Sequence, residues 1–277
     1  MKRLIKIGLK IGKYLLLTIV FLVLVIIMIG GGFGPKEFDQ QHRLYQNDLM
    51  LIAHRGVASK APENSRAAFN AAHNQGFDAV EIDIKETQDG HFYLFHDRSS
   101  DRLLNTTIDL SATTLAELKQ FPLYFEGAQS NQYILSLEEF GREFSKDFIV
   151  YLDIKRHGND HYEYLAKKIW QFISTYDLQE RVFVGSDFLF TVYLEYNYPQ
   201  VHTVFSGPGD STAHVYLWIP KKFRPDFMIS YADEVTDRHI DWLRKNGLMN
   251  RRMVYGVNEG NYDRLMKWGI PKVMVDQ

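Results

Sequence analysis

The sequence has 277 residues, of which 45% are hydrophobic, and it contains no cysteine. The lack of cysteine excludes disulfide bonds, thiol nucleophiles, zinc–thiolate sites and lipid attachment through a thiol. Residues 1–34 carry five basic and no acidic side chains, whereas residues 35–277 carry 27 basic and 34 acidic ones, a net charge of −7 with His neutral. A net acidic main portion argues against nucleic acid as the partner.

The first 34 residues predict a basic cytoplasmic flank followed by a transmembrane helix. Residues 14–33 contain no charged side chain, and twenty helical residues span about 30 Å, the thickness of the hydrocarbon core of a bilayer. The basic flank stays in the cytoplasm by the positive-inside rule, so we expect a single-pass protein of the cell membrane with an extracellular domain. A cleaved signal peptide is the alternative. Gly30-Gly31-Gly32 offers small residues for cleavage, but the apolar run is longer than a usual signal core.

The rest of the chain predicts one α/β domain. Residues 35–48 are polar and aperiodic and predict a linker, after which residues 49–277 form the domain. Short apolar runs predict nine strands, at 49–53, 79–84, 92–95, 148–154, 182–185, 202–206, 227–230, 253–257 and 272–275. Stretches of helical character separate most of them, including 64–75, 162–176, 236–246 and 259–268. This alternation predicts a parallel sheet, and the length suits a (β/α)8 or TIM barrel.

Nine strands are one more than this barrel holds. Only residues 85–91, with Asp89-Gly90 among them, separate the second and third predicted strands. A parallel crossover needs a dozen residues or more, so we expect a hairpin in which 92–95 runs antiparallel to 79–84. That hairpin would return His96 towards Glu81 and Asp83. Two further segments, 105–136 with a helical stretch at 114–119 and 207–227, are candidates for walls of the barrel mouth.

Two carboxylates on the second strand predict a metal site. Glu81 and Asp83 stand two residues apart, so their side chains share one face of the strand. Carboxylates aimed together into a barrel mouth repel each other, and one divalent cation, Ca2+ or Mg2+, relieves that repulsion. The alternative is a pair of surface carboxylates on an exposed strand.

Two histidines and a guanidinium follow strands near these carboxylates. His54 ends the first predicted strand and His96 ends the hairpin strand. Imidazole pKa values lie near neutrality, so the pair can supply the base and the acid that cleavage of a phosphodiester requires. Arg55 suits the non-bridging oxygens of a phosphate, or else an ion pair with Glu63.

These residues fall into an ordered set of motifs: His54-Arg55-Gly56, Pro62-Glu63-Asn64, Glu81-x-Asp83, Thr87-x-Asp89-Gly90 and His96-Asp97. In order and spacing the set resembles the glycerophosphodiester phosphodiesterase family. Weaker echoes follow at Asp153-Ile154-Lys155 and Val257-Asn258, so the resemblance extends from about residue 49 to the C-terminus. It implies a metal-dependent hydrolase that cleaves glycerophosphodiesters to glycerol 3-phosphate and an alcohol.

The resemblance also implies further site residues. It places a third metal ligand at Asp153, where the family usually has glutamate. Lys155 lies two residues on, faces the same way and is expected to contact the phosphate with Arg55. Glu63, Asn64 and Asn258 are candidates for residues that contact the metal ligands without binding the metal themselves.

Several positions depart from the family pattern, namely Ser65, Gly185-Ser186-Asp187 and Tyr255-Gly256-Val257-Asn258. The last two sets belong to predicted pocket walls, so they leave open which alcohol the substrate carries. The candidate substrates are deacylated phospholipids and glycerol-phosphate polymers. Two alternative functions remain: a phospholipase D-like activity on lysophospholipids, and a degenerate barrel that binds polyanions or scaffolds another membrane protein.

Overall fold

The protein is described as a computed structural model. The structure describes residues 2–33, 36–37, 41–46, 48–156, 161–207 and 213–276. Parts of the predicted linker, and residues 208–212 of the second predicted wall segment, therefore lie outside the described residues.

Eight parallel strands in the described residues close into a barrel, which confirms the predicted TIM-barrel fold. Around the barrel they are β1 (Met50–Ala53), β2 (Ala79–Glu86), β6 (Ile149–Ile154), β7 (Val182–Ser186), β8 (His202–Ser206), β9 (Phe227–Tyr231), β10 (Arg252–Val257) and β11 (Lys272–Val275). Parallel pairing of β1 with both β2 and β11 closes the ring. The outer helices are α2 (Arg66–Asn74), α5 (Leu137–Phe144), α6 (Tyr162–Thr175), α7 (Phe188–Asn197), α8 (Ala213–Tyr216), α9 (Asp237–Lys245) and α10 (Glu259–Trp268).

The strands read as continuous apolar runs because both of their faces are buried. Inward-facing side chains such as Ile52, Phe183 and Phe227 fill the barrel interior. Outward-facing ones such as Val80 and Leu152 pack with the apolar faces of the surrounding helices. The barrel is thus a packed core, which leaves its two rims as the places for polar side chains.

The predicted hairpin is confirmed. Strand β3 (Phe92–Leu94) pairs antiparallel with β2, with Ile84 opposite Leu94. The turn is held by the Thr87 hydroxyl, which donates to Asp89 at 2.7 Å, and by Gly90, whose φ of 78° lies in the left-handed region. The hairpin returns the chain to the end of the barrel where the strands finish, here named the C-terminal rim.

The insertion after β3 contains more structure than the sequence indicated. Helix α3 (Asp101–Leu104) precedes α4 (Leu115–Leu118), which lies inside the predicted helical stretch. A hairpin of β4 (Pro122–Phe125) and β5 (Ala128–Tyr133) follows and was not predicted. The sequence of β5, AQSNQY, is polar and largely exposed, so it lacks the apolar alternation that reveals a half-buried strand.

Helix α1 (Lys2–Ile29) precedes the barrel. Its part from Ile11 to Ile29 has a mean hydropathy of 2.7 and none of it is buried, so by length and composition it is able to cross a membrane. Just beyond its end the carbonyls of Gly32 and Gly30 accept the backbone N–H groups of Lys221 and Lys222, at 3.0 and 2.9 Å. The apolar helix thus joins the barrel near Lys221 and Lys222, in the segment that precedes β9.

The described part of residues 35–48 packs against the barrel instead of forming an extended linker. Leu44 and Tyr45 are buried, and the Tyr45 ring stacks on Phe227 with centroids 4.9 Å apart. The Lys36 ammonium forms ion pairs with Glu195 and, at 2.7 Å, with Asp226. These contacts close the N-terminal rim, the end of the barrel where the strands begin. Composition suggested a linker because the segment contributes only a few apolar side chains to this contact.

Candidate active site

The polar residues singled out in the sequence converge at the C-terminal rim. A cavity of about 300 Å3 is lined there by His54, Arg55, Glu81, His96, Asp153, Lys155 and Asp276, together with Tyr151, Ser206, Ile229, Tyr231, Tyr255 and Met274. They are neighbours because parallel strands deliver their final residues to the same rim.

Three carboxylates form the centre of this cluster. One oxygen each of Glu81, Asp83 and Asp153 lies within 4.8 Å of the others. Burial, and then the charges of Asp83 and Asp153, raise the pKa of Glu81 well above its ordinary value. Burial acts in the same direction on Asp83, but Lys155 and Arg55 outweigh it and lower the pKa of that carboxyl. The cluster therefore depends on nearby positive charge to stay ionised.

The carboxylates fit a hard divalent cation. Buried oxygen donors in one place are the ligands that Ca2+ and Mg2+ prefer. Oxygen Oδ1 of Asp83 is buried and accepts no hydrogen bond from the described residues, although it forms an ion pair with Lys155. In this structure the Lys155 ammonium lies between the acids, 3.0 Å from Asp83 and 2.6 Å from Asp153. A singly charged ammonium thus lies among carboxylate oxygens that suit a doubly charged ion.

Asn64 positions one of the carboxylates. Its amide donates to Asp83 Oδ2 at 2.8 Å, and its carbonyl oxygen accepts the Asp83 backbone N–H at 3.3 Å. The sequence predicted that Asn64 opens a helix, which is wrong: the helix begins at Arg66 with Ser65 as its N-cap. Asn64 instead has a φ of 56°, a left-handed conformation that asparagine tolerates, so its side chain turns to the carboxylate.

Arg55 lies between carboxylates. Its guanidinium contacts Glu63 at 3.1 Å and Asp83 at 3.2 Å, and its backbone N–H donates to Glu81 at 3.0 Å. The Glu63 carboxylate also accepts two hydrogen bonds from Arg102, at 2.7 and 2.8 Å. The ion pair of Arg55 with Glu63, an alternative in the sequence analysis, is therefore present and orients the guanidinium.

Each histidine has a carboxylate on its Nδ1 atom. The Nδ1 of His54 is hydrogen-bonded to Asp276, and the Nδ1 of His96 lies 2.8 Å from Asp97. The Nε2 of His54 points to the acidic cluster, 3.9 Å from Glu81. A carboxylate on one ring nitrogen fixes the orientation of the ring and leaves the other nitrogen for chemistry. Asp276 was missed by the sequence analysis, although its position after the last strand was a usable signal.

Lys85 was also missed. It continues the face of β2 that carries Glu81 and Asp83, a spacing visible in the sequence as Glu-x-Asp-x-Lys. The side chain is only 3% exposed, and its ammonium donates to the carbonyl of Asp97. Burial lowers the pKa of Lys85 to about 8.

Asn258 is not brought into this cluster. Its side-chain oxygen accepts the N–H of Gly260 at 2.9 Å, so it caps α10, and it lines a different cavity beside Val275. Of the positions that depart from the family pattern, Tyr255 lines the central cavity, and Ser186 and Asp187 line a larger neighbouring one. Gly185 is required by packing, because a Cβ there would lie 2.3 Å from the Tyr151 hydroxyl.

Comparisons with known proteins identify the family of this chain. The model of the glycerophosphoryl diester phosphodiesterase family matches residues 54–277. A glycerophosphodiester phosphodiesterase of Caldanaerobacter subterraneus is 35% identical over 140 residues, which cover 50% of this chain and 57% of that protein. A human glycerophosphodiester phosphodiesterase 1 is 31% identical over 134 residues, which cover 47% of this chain and 40% of the relative. The matches thus cover about half the length of these relatives.

Solved structures share the fold. A phosphodiesterase of Oleispira antarctica, in complex with the product sn-glycerol-3-phosphate, has a TM-score of 0.71 and 21% identity over 83% of this chain and 94% of that one. A glycerophosphodiester phosphodiesterase of Agrobacterium tumefaciens has a TM-score of 0.68 and 20% identity over 83% and 96% of the two chains. At this level of identity the likeness concerns the barrel.

Proposed function

Because this chain belongs to the glycerophosphoryl diester phosphodiesterase family, we propose that it hydrolyses glycerophosphodiesters to glycerol 3-phosphate and an alcohol, with the help of a divalent cation. The observation that carries the proposal is that two carboxylate-oriented histidines line one cavity of about 300 Å3 beside a cluster of three carboxylates. A binding or scaffolding barrel has no need of two proton-transfer groups that line one cavity beside an acidic cluster.

The histidines would divide the proton transfers. His54, held by Asp276, takes the proton of the attacking water, whose oxygen forms the new bond to phosphorus. His96, held by Asp97, donates a proton to the departing alcohol oxygen as its bond to phosphorus breaks. Each histidine thereby passes through the opposite protonation state, and exchange with solvent restores both.

The charged groups would hold the phosphate between the histidines. Glu81, Asp83 and Asp153 are the proposed ligands of the cation, which supplies Lewis-acid stabilisation of the phosphoryl oxygens when bound. Lys155 and Arg55 line the same cavity and offer N–H donors to the non-bridging oxygens. In the present structure both cations are paired with carboxylates, so a substrate phosphate would compete with Asp83 and Asp153 for them.

We further propose that α1 anchors the enzyme in the cell membrane and that the barrel lies on the extracellular side. Of the predicted span 14–33, residues 14–29 belong to α1, whereas Gly30 and Gly32 already contact the barrel. The support is the apolar, unburied stretch Ile11–Ile29 and the basic residues before it. A cleaved signal peptide predicts a mature chain that lacks α1, so the mass of the protein purified from membranes separates the two.

The function is tested with the full chain in detergent micelles. Glycerophosphocholine and lysophosphatidylcholine are offered separately, with and without EDTA, and release of glycerol 3-phosphate or choline is measured. We expect turnover of glycerophosphocholine to glycerol 3-phosphate, its loss in EDTA and its recovery with added Ca2+ or Mg2+. EDTA-insensitive turnover would contradict the metal dependence, turnover of the lyso-lipid alone would favour the phospholipase D-like alternative, and no turnover of either would favour the non-enzymatic barrel.

A further inference from the structure

A second, larger cavity adjoins the proposed catalytic centre. It has a volume of about 890 Å3 and shares His96, Asp153, Lys155 and Ser206 with the smaller cavity. Its remaining charged lining consists of three cations and two carboxylates, namely Lys85, Arg98, Arg156, Asp97 and Asp187. A phosphodiester held between His54 and His96 would therefore extend one of its two ester substituents into this cavity.

The carboxylates of the larger cavity are already paired. Asp153 pairs with Lys155, Asp187 pairs with Arg156, and Asp97 accepts from Arg102 at 2.6 Å as well as contacting His96. Among the ion pairs of the described residues, none joins a carboxylate to Lys85 or to Arg98. Two cations thus face the cavity without a direct ion pair among the described residues, next to Lys155, which is shared with the metal ligands. Asp97 and Asp83 attract the Lys85 ammonium but are not ion-paired with it.

Lys85 is also held in place, unlike an ordinary surface lysine. Its side chain is 3% exposed, its ammonium donates to the Asp97 carbonyl, and it lies 5.5 Å from the centre of the Phe95 ring. An ammonium has three N–H donors, so a carbonyl partner leaves capacity for an anion. Burying an ammonium that lacks a direct ion-pair partner is costly, and a bound anion reduces that cost.

We propose that Lys85 and Arg98 bind a second phosphate of the substrate, next to the phosphodiester that is cleaved, and that the preferred substrate is accordingly a chain of glycerol units joined by phosphodiesters. This inference rests on the proposed function. A small headgroup such as choline is cationic and would meet like charge in this cavity, whereas the next phosphate of a glycerol-phosphate chain meets opposite charge.

The test compares two substrates with one enzyme. A synthetic glycerol-phosphate trimer and glycerophosphocholine are hydrolysed by the full chain and by Arg98→Gln, Lys85→Gln and the double variant. Arg142→Gln, on the exposed side of α5, serves as the matched control. We expect the ratio of kcat/KM for the trimer to kcat/KM for glycerophosphocholine to fall about tenfold in Arg98→Gln and further in the double variant, the size expected for a charge-assisted hydrogen bond. Arg142→Gln should keep the ratio of the unmodified chain.

Binding is measured separately, since Arg98 is exposed and its variant should fold even where Lys85→Gln does not. In a His96→Ala background, calorimetric titration with the trimer should show an affinity about tenfold lower when Arg98→Gln is added. An unchanged ratio together with unchanged affinity overturns the second phosphate site. Failure of the unmodified chain to hydrolyse either substrate would instead overturn the proposed function, and the titration would still decide on the phosphate site.

Discussion

Both rims of the barrel carry buried carboxylates beside cations, but they use them differently. At the N-terminal rim Glu195 and Asp226 enclose the Lys36 ammonium. At the C-terminal rim Glu81, Asp83 and Asp153 surround the Lys155 ammonium and open onto a cavity. The first cluster is closed by the chain itself, whereas the second leaves space and donor atoms for an ion and a substrate. Cavity and unsatisfied charge, more than the presence of buried acids, distinguish a site from a structural ion pair.

The pKa shifts at the N-terminal rim follow from this closure. Burial, and then the neighbouring Asp226, raise the pKa of Glu195 to about 8. Burial acts to raise the pKa of Asp226 too, but Lys36 and His202 outweigh it and lower that pKa to about 2. Asp226 thus stays ionised down to low pH, whereas Glu195 is readily protonated. Lys36 stabilises the ionised form of both.

The largest expected effect is the loss of turnover when a histidine of the C-terminal rim is removed. His54→Ala and His96→Ala should each lower kcat by about 10²–10⁴-fold, the usual contribution of general acid–base catalysis. Cation affinity, measured by calorimetry, should stay within a small factor because neither imidazole is a proposed ligand. His73→Ala, an exposed histidine on α2, is the control. Equal losses in the control would mean that the assay reports folding and not chemistry.

At the opposite rim, Lys36→Met should affect stability and not chemistry. Removing one partner of a buried ion pair costs about 3–5 kcal/mol in the free energy of unfolding. Without Lys36, Glu195 keeps the Thr203 hydroxyl and Asp226 keeps His202, but the two buried carboxylates lose the cation that they share. The loss should be smaller at pH 6 than at pH 10, since Glu195, whose pKa is about 8 with Lys36 in place, is neutral at the lower pH and no longer needs the cation. Denaturant unfolding measures the effect, with exposed Lys146→Met as the control. A stable variant with lost activity would contradict the division between the rims.

Asp276→Asn should give a smaller effect on turnover. An amide keeps the size of the carboxylate that holds His54 Nδ1 but lacks its charge, so we expect kcat to fall about tenfold with little change in KM. Because Asp276 would act through His54, adding the change to His54→Ala should cost nothing further. Additive losses in the double variant would refute this positioning role.

The smallest expected effect concerns Lys272, which is buried at the N-terminal rim, where its ammonium donates to the Asn250 carbonyl at 2.7 Å. Burial lowers the pKa of Lys272 from 10.5 to about 7, so the folded state prefers the neutral amine. The resulting stability is complete above pH 10.5 and is lost as the pH falls through 7. Lys272→Met should therefore be more stable than the unmodified chain by about 1 kcal/mol at pH 6. That advantage should vanish near pH 10 in thermal unfolding; a constant difference would argue against titration.

Most of the fold could be predicted from the sequence because buried parallel strands leave apolar runs between helical segments. All nine predicted strands are present, and the short gap before Phe92 correctly indicated a hairpin. The exposed hairpin β4–β5 escaped because polar strands carry no such pattern. The packing of Leu44 and Tyr45 under the barrel escaped because two apolar residues in a polar segment give no periodic signal.

For the site, motif order predicted which residues meet, and the structure brings together all of them except Asn258, whose side chain caps α10. What sequence could not supply were partners distant along the chain. Asp276 reaches His54 across 222 positions, and Arg102 reaches Glu63 across 39. Such contacts depend on barrel closure and on the path of an insertion, neither of which a local pattern encodes.

The attachment of α1 has a consequence for where the enzyme finds its substrate. The helix meets the barrel through Gly30 and Gly32 at the segment just before β9, and Lys36 fastens the following residues to the same end. Strands of five or six residues separate that end from the histidines, a height of roughly 17–20 Å. A bilayer that holds α1 would therefore lie at the N-terminal rim, and the cavity at the C-terminal rim would face away from it. With the proposed anchor, the cavity would face substrates that lie outside the leaflet in which α1 is embedded.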